Sequence, residues 1–391
     1  MPDRHLARKF QNVGGGSLAL DTAALSRYDD IIDLSIGDTD FITDRRIIDA
    51  AYRDACAGYT KYGDPKGDPM LVEAIRNAYR EDFGMELSPA EVFITASSCM
   101  GMELCLTAII NPGDEVLVFS PYFSPYKDQI ELAGGAAVDV PTSEEDGWAI
   151  REDLLRAKIT SRTRAMIFNN PTNPTGAVYD RPTMEMLARV AEEFDLIVIA
   201  DEIYTRYLYE GKFIPFRSLP GMAERTLTLN SFSKNFMMTG WRVGCIVAPS
   251  QILTAVAYIS NGMIYTVPSI SQRAALAALA IRDDIEKTYI SQFKGRVYYA
   301  YDRASRIPWM TATRPRGTFY LFPGIKKTGL SSPEFCRELF EKAHILAAPG
   351  NVFGEAGEGY FRIVCAVGIP VLEEAFDRME KLSFPQNNLE I

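Results

Sequence analysis

Histidine is the scarcest chemically versatile residue in this chain of 391 residues: there are two, His5 and His344. His5 lies near the start of the chain, so a Ser-His-Asp hydrolase would have to rest on His344 alone, and zinc chemistry with several His ligands is excluded. An enzyme with this sequence must move protons by other groups. The cysteines (Cys56, Cys99, Cys105, Cys245, Cys336 and Cys365) contain no CxxC pair and lie mostly in apolar runs, which predicts buried, reduced thiols in a cytoplasmic protein. No stretch of about 18 uncharged apolar residues exists to span a bilayer, and the N-terminus has no signal-peptide core, so no membrane partner is expected. Basic charge is also short: 51 Asp and Glu against 41 Lys and Arg leave a net charge of −10. That balance argues against a surface built for a nucleic-acid backbone or anionic lipid, and leaves room for a local basic pocket that takes one small anion.

What is present is ordinary globular material, 47% hydrophobic and 24% charged, long enough for two or three domains. The Gly14-Gly15-Gly16 run has the look of a dinucleotide fingerprint, but residues 8–13 make a poor strand to precede one, and a loop or arm is the better reading. From about residue 45, helical stretches such as 100–110, 153–157 and 182–194 alternate with short apolar runs at 92–95, 115–119, 137–140, 165–168, 196–200, 226–229 and 243–248. That βαβα order with near-continuous hydrophobic strands predicts an α/β sheet covered on both faces. Beyond residue 250 the order changes to one or two long helices over 251–304, a strand-like 317–321, a helix near 332–343 and a strand at 360–365. This second pattern predicts a smaller α+β domain, which the N-terminal arm joins.

In open α/β sheets ligands bind past the carboxyl ends of the strands, and four such junctions carry chemistry. After Thr95, the small residues Ala96-Ser97-Ser98-Cys99 open a helix whose free amides suit an anion. After Phe168 comes NNPTNPTG (169–176), where two Asn-Pro pairs impose an extended, rigid turn. LIVIADEIY (196–204) ends a fully apolar strand on Asp201, a carboxylate whose burial demands a cation or donor opposite. TLNSFSKNFMMTGWRVG (228–244) places Ser231, Ser233 and Lys234 after a strand and Arg242 between two glycines.

Together with KYGDPKGDPML (61–71), APG (348–350) and YFRIVCA (360–366), these junctions resemble the class I/II aminotransferases, fold-type-I pyridoxal-phosphate-dependent enzymes, over most of the chain. Each motif alone is a weak pattern; their order and spacing are specific. The resemblance implies a three-layer αβα large domain with a mostly parallel sheet over 45–285, a small α+β domain over 286–391, and residues 1–44 as an arm and part of that small domain. It implies pyridoxal 5′-phosphate as cofactor, an L-amino acid and a 2-oxo acid as substrates, and a homodimer with the active site at its interface.

By the same resemblance, Lys234 forms the Schiff base with the cofactor and moves the substrate's α-proton. Asp201 pairs with the pyridinium nitrogen, and Asn173 and Tyr204 hydrogen-bond the ring oxygen. Asn170 competes with Asn173 for that role, and the NPTG match selects Asn173. The phosphate falls to the amides of Ser98 and Cys99, the hydroxyls of Ser231 and Ser233, and Arg242. Tyr122 stacks on the ring, unless it is an ordinary core tyrosine. Tyr62 reaches the phosphate of the neighbouring subunit, unless it is a surface loop residue. Arg362 grips the substrate α-carboxylate in a planar fork that lysine does not offer, assisted by the Gly37 backbone and Asn173. The segment 34–41 reads LSIGDTDF where the family more usually has Gly-Glu-Pro-Asp. The segment 261–265 (NGMIY) lacks the arginine that dicarboxylate-specific relatives can use, which favours a neutral or aromatic side-chain pocket.

Two other functions compete. A β C–S lyase or another α-carbon reaction would use the same cofactor residues. A cofactor-sensing DNA-binding regulator would need a helix-turn-helix module, for which the chain leaves no room before residue 30, and the charge of −10 is unfavourable.

Overall fold

Seven of the apolar runs form strands of one sheet in a computed structural model that describes residues 5–7, 10 and 27–384. The Gly14–Gly16 run lies outside these residues. After a two-residue β1 (Ile32–Asp33), the strands are β2 (Val92–Thr95), β3 (Glu115–Ser120), β4 (Ala136–Pro141), β5 (Thr163–Asn169), β6 (Ile197–Asp201), β7 (Thr226–Ser231) and β8 (Gly244–Val247). Their spatial order is β2-β8-β7-β6-β5-β3-β4. Only β8 runs antiparallel to its neighbours, so β2, β3, β5, β6 and β7 all deliver their carboxyl ends to one edge. The α/β sheet is thus as the apolar patterning indicated, and its mostly parallel order is as the resemblance implied.

Alternate residues explain the continuous hydrophobicity of the strands. Val116, Val118, Ile167, Ile199 and Leu229 point into a core shared with the Ser98–Ile109 helix. Their neighbours Leu117, Phe119, Met166, Phe168 and Val198 point the other way, into a core shared with the Arg181–Glu193 helix. Helix starts follow local chemistry. The carboxylates of Asp68 and Asp180 cap the Pro69–Phe83 and Arg181–Glu193 helices by accepting from Met70 N (2.9 Å) and Thr183 N (3.0 Å). In each helix proline falls within the first two positions, where no backbone donor is lost.

A second unit contains β9 (Tyr320–Leu321), β11 (Ala348–Pro349) and β12 (Phe361–Val364) in the antiparallel order β11-β12-β9. A parallel pair joins β1 to β10 (Ile345–Leu346). The helical stretch after residue 250 is more divided than the pattern predicted. Ser250–Met263 and Ser269–Ala280 are separated where Tyr265 takes a left-handed φ of 65° and Pro268 precedes the next helix. Arg282–Ile285 then passes through a π-helical turn, Glu286–Ile290, into Ser291–Ala304. The strand expected over 317–321 shrinks to β9 because Thr318 has a φ of 60°, incompatible with the ladder. No helix among the described residues is long and apolar enough to cross a membrane.

Gly244 lets these layers meet. A Cβ there would lie 2.8 Å from both Asn230 O and Ser98 N, so the first turn of the Ser98–Ile109 helix presses directly on the β7–β8 pair. Gly244→Ala is expected to destabilise the protein by about 1–3 kcal/mol, read as a lower urea midpoint with an unchanged slope.

Candidate active site

Beyond the carboxyl edge of the sheet lies a cavity of ≈ 520 Å³. Eleven of the thirteen residues singled out above line it: Gly37, Ser98, Cys99, Asn173, Asp201, Tyr204, Ser231, Ser233, Lys234, Arg242 and Arg362. They come from five strand ends of the large sheet and from the second unit, so the cavity exists only where the two meet.

Asp201 ends β6 and is almost fully buried. One carboxylate oxygen accepts from the hydroxyl of Tyr126, while Oδ1 is buried without a partner. Burial pushes its pKa up to about 6, against the opposing pulls of the Tyr126 hydroxyl and, more weakly, the Ile203 backbone N–H. The NNPTNPTG loop is pinned to the same strand end. Asn169 donates to Asp201 O (2.8 Å) and accepts from Asn173 N (2.7 Å), which turns Asn173 toward the cavity. The Asn170 amide is engaged elsewhere, accepting from Tyr179 N at 3.0 Å, and Asn170 is not part of the lining.

Lys234 lies in the one-turn helix Phe232–Asn235 that follows β7, and its ammonium donates to Gly37 O. Burial lowers its pKa to about 8; Asp38 opposes the shift, and Arg362 and Arg242 add to it. Arg362, on β12, is buried with its own pKa lowered by desolvation. Its two terminal nitrogens donate to Asn173 Oδ1 (3.0 Å) and Ser35 O (2.6 Å), Nε has no partner, and no carboxylate pairs with it among the described residues. The guanidinium carbon sits 4.8 Å from the ring centres of both Tyr320 and Phe353.

Opposite these groups is an anion cradle. At the start of the Ser98–Ile109 helix, Met100 N is taken by Ser97 Oγ (3.3 Å) and Gly101 N by Ser97 O (3.0 Å). The Ser98 and Cys99 amides precede these in the first turn and have no intrahelical acceptor. Ser97 reaches this position with a φ of 90°. Ser231, Ser233 and Arg242 close the cradle; Arg242 adopts a left-handed conformation (φ 53°) and donates to Thr239 O at 2.7 Å.

One expectation is not met within this chain. Tyr122 does not line the cavity: it borders an adjacent groove near Asp139, and Phe123 supplies the aromatic wall instead. Consecutive side chains at this bend face different sides, so the residue next in sequence takes the place assigned to Tyr122. Tyr62 is 82% exposed, packs edge-on against Tyr265 (5.1 Å) and is remote from the lining. Tyr126, Phe123 and Tyr320 are site residues that the motifs did not name. Tyr126 and Phe123 fall in the 120–126 run SPYFSPY at the carboxyl end of β3, the same edge of the sheet at which the other site residues lie.

Residues 29–379 match the family described as aminotransferase class I and II. The chain is 38% identical to an aspartate aminotransferase of Pyrococcus abyssi, with 90% of this chain and 92% of that one aligned. It is 37% identical to aromatic-amino-acid aminotransferase 2 of Thermococcus litoralis, over 90% and 91% of the two chains. A solved single mutant of the Thermus thermophilus aspartate aminotransferase superposes with a TM-score of 0.92 at 32% identity, covering 97% of this chain and 100% of that one. The chain belongs to the class I and II aminotransferase family and is an aminotransferase.

Asp201 makes the charge imbalance measurable. Its folded pKa of about 6 exceeds the ordinary 3.8, so the stability it contributes is complete below about pH 4 and is lost as pH rises through about 6. The cost at pH 8 is about 3 kcal/mol. Asp201→Asn is therefore expected to stabilise the ligand-free protein at pH 8 by up to that amount and to leave it little changed at pH 4, by urea unfolding at both values. Equal stability of parent and variant at pH 8 would contradict an unpaired buried carboxylate.

Proposed function

We propose that the cavity binds pyridoxal 5′-phosphate and that the protein transfers amino groups between L-amino acids and 2-oxo acids as a homodimer. The observation that carries this reading is the bare Oδ1 of Asp201, a buried acceptor facing a cavity that also holds the buried Arg362 and the half-buried Lys234, two cations without carboxylate partners. The donor set fits the cofactor at every edge. Asp201 would meet a protonated ring nitrogen. Asn173 and Tyr204 would donate to the ring oxygen, with Phe123 as the aromatic wall beside the ring. The Ser98 and Cys99 amides, the Ser231 and Ser233 hydroxyls and Arg242 would receive the phosphate.

When bound, the cofactor supplies an electron sink for the negative charge that develops at the substrate α-carbon. The chain does the rest. Arg362 still has N–H groups to offer after its bonds to Asn173 and Ser35, and orients the substrate by its α-carboxylate. Lys234 removes the α-proton and returns it during transfer; a pKa near 8 leaves a useful fraction of neutral amine at physiological pH. An amino acid and an oxo acid present the same carboxylate to Arg362, so both halves of a ping-pong cycle use one set of residues. Lys234, Arg242 and Arg362 are the only cations lining the cavity among the described residues. With all three assigned, donors with neutral or aromatic side chains are favoured over dicarboxylates.

Exposed Tyr62, Tyr258 (85%) and Tyr265 are unusual on a solvated surface and support burial against a second copy. Tyr62 then extends to the partner's phosphate site. The six free thiols support action in the cytoplasm.

Lys234→Ala is expected to reduce turnover by at least about 10³-fold, while an amino acid alone should convert the parent enzyme once per site and stop. Continuous pyruvate and ammonia release from a single amino acid would instead establish a lyase. Sedimentation of the holoenzyme should give a dimer, and Tyr62→Ala should weaken cofactor retention; a fully active monomer would overturn the shared site.

A further inference from the structure

The geometry points to Tyr320 as a positioning residue that couples the two ends of the site, its ring fixing the plane of Arg362 and its hydroxyl fixing the hydrogen bond of Tyr204. This inference rests on the roles proposed above for those two residues. Sheet register brings Tyr320 to them. It pairs with Val364 across β9 and β12, which puts Arg362, two residues back on the same face of β12, within diagonal reach of its ring. The guanidinium is held between Tyr320 and Phe353, each ring centre 4.8 Å away. Hydrogen bonds to Asn173 and Ser35 fix two corners of the fork but leave it free to tilt about the line joining them. Flanking rings remove that freedom, and the desolvated cation gains from their faces.

At the other end, the Tyr320 and Tyr204 hydroxyls lie 2.8 Å apart in a buried pair. Either hydroxyl can donate in this pair; with the single proton of Tyr204 committed to the ring oxygen, as proposed above, Tyr320 is the donor, and the donated bond makes Tyr204 a stronger donor into the cavity. The Tyr320 hydroxyl also fills the space above Gly37, where a Cβ would come within 2.5 Å of it. Gly37 O is the acceptor for Lys234, so one phenol meets the carboxylate, ring-oxygen and lysine subsites.

The test uses holoenzymes reconstituted with pyridoxal phosphate. It measures the pH midpoint of the bound-cofactor absorbance and the Kd of 3-phenylpropanoate, a carboxylate without an amino group. Tyr320→Phe retains the ring, so its Kd should stay within about twofold while the midpoint rises by about half a unit or more. Tyr320→Leu should show the same midpoint rise and a Kd weakened by about tenfold or more. Gly37→Ala, which crowds the hydroxyl of an unaltered Tyr320, should also raise the midpoint, and Tyr320→Met, closer in length to the parent side chain, should weaken the Kd as the leucine variant does and covers the case in which that variant fails to fold. An unchanged midpoint in Tyr320→Phe, or an unchanged Kd in folded Tyr320→Leu, would overturn the proposal. Arg362→Leu separates the two levels: if it binds 3-phenylpropanoate as the parent does, the assignment of Arg362 has failed, and with it the basis of this coupling.

Discussion

Asp201 ends its strand with one carboxylate oxygen held by Tyr126 and the other buried with nothing to accept from. Burial of an unpaired charge costs several kcal/mol, and a protein selected for stability alone would have placed a neutral residue there. The strands around it explain why the cost is tolerated locally. Apolar β5 and β7 flank β6 on both sides, and the cores on both faces of the sheet make the carboxyl edge rigid. A ligand with a cationic nitrogen would meet a carboxylate that needs no reorganisation, the condition under which an electrostatic contact is worth most. Lys234 and Arg362 repeat the arrangement with the opposite sign.

The anion cradle is built differently, mainly from backbone. Helix amides, the unusual φ of Ser97 and the left-handed Arg242 depend on the chain path more than on side-chain identity. Gly244 fixes that path by admitting the helix start to van der Waals contact with the sheet. For this reason Cys99 would serve as well as a hydroxyl residue in the proposed phosphate site: the group it offers is an N–H that every residue but proline carries.

The same distinction explains what could be read from the sequence. Strands buried on both faces leave uninterrupted apolar runs, and β6 and β7 end on polar residues, Asp201 and Ser231, that line the cavity; hence the sheet, Asp201, the Asn-Pro loop and the Ser231–Lys234 turn are all legible. The choice between Tyr122 and Phe123 was not, since adjacent aromatics at a bend differ only in which side the backbone turns them to. Tyr320 was invisible for another reason. Its strand has two residues and no periodicity, and its contacts lie 116 residues away in sequence at Tyr204 and one strand over at Arg362. The divided helices after residue 250 were obscured because an apolar pattern can run on through a break whose cause is a single backbone conformation, here Tyr265 before Pro268.

Scarcity of histidine finally acquires a physical explanation. His344 caps the Ser332–Ala343 helix in a left-handed conformation, donates from Nδ1 to Asp30 Oδ1 (2.6 Å) and stacks on Tyr28 at 3.8 Å. It is a structural residue outside the cavity lining. Imidazole is useful in catalysis because its pKa lies near neutrality without help. This chain obtains the same property from Lys234 by burying an amine beside two guanidinium groups, which brings it to about 8. A primary amine brought into that range offers what imidazole lacks, a long flexible stem that carries the proton between positions several bond lengths apart. In the transfer proposed above one proton leaves one atom of the substrate and returns elsewhere, so reach matters as much as acidity, and a lysine tuned by its surroundings would supply both.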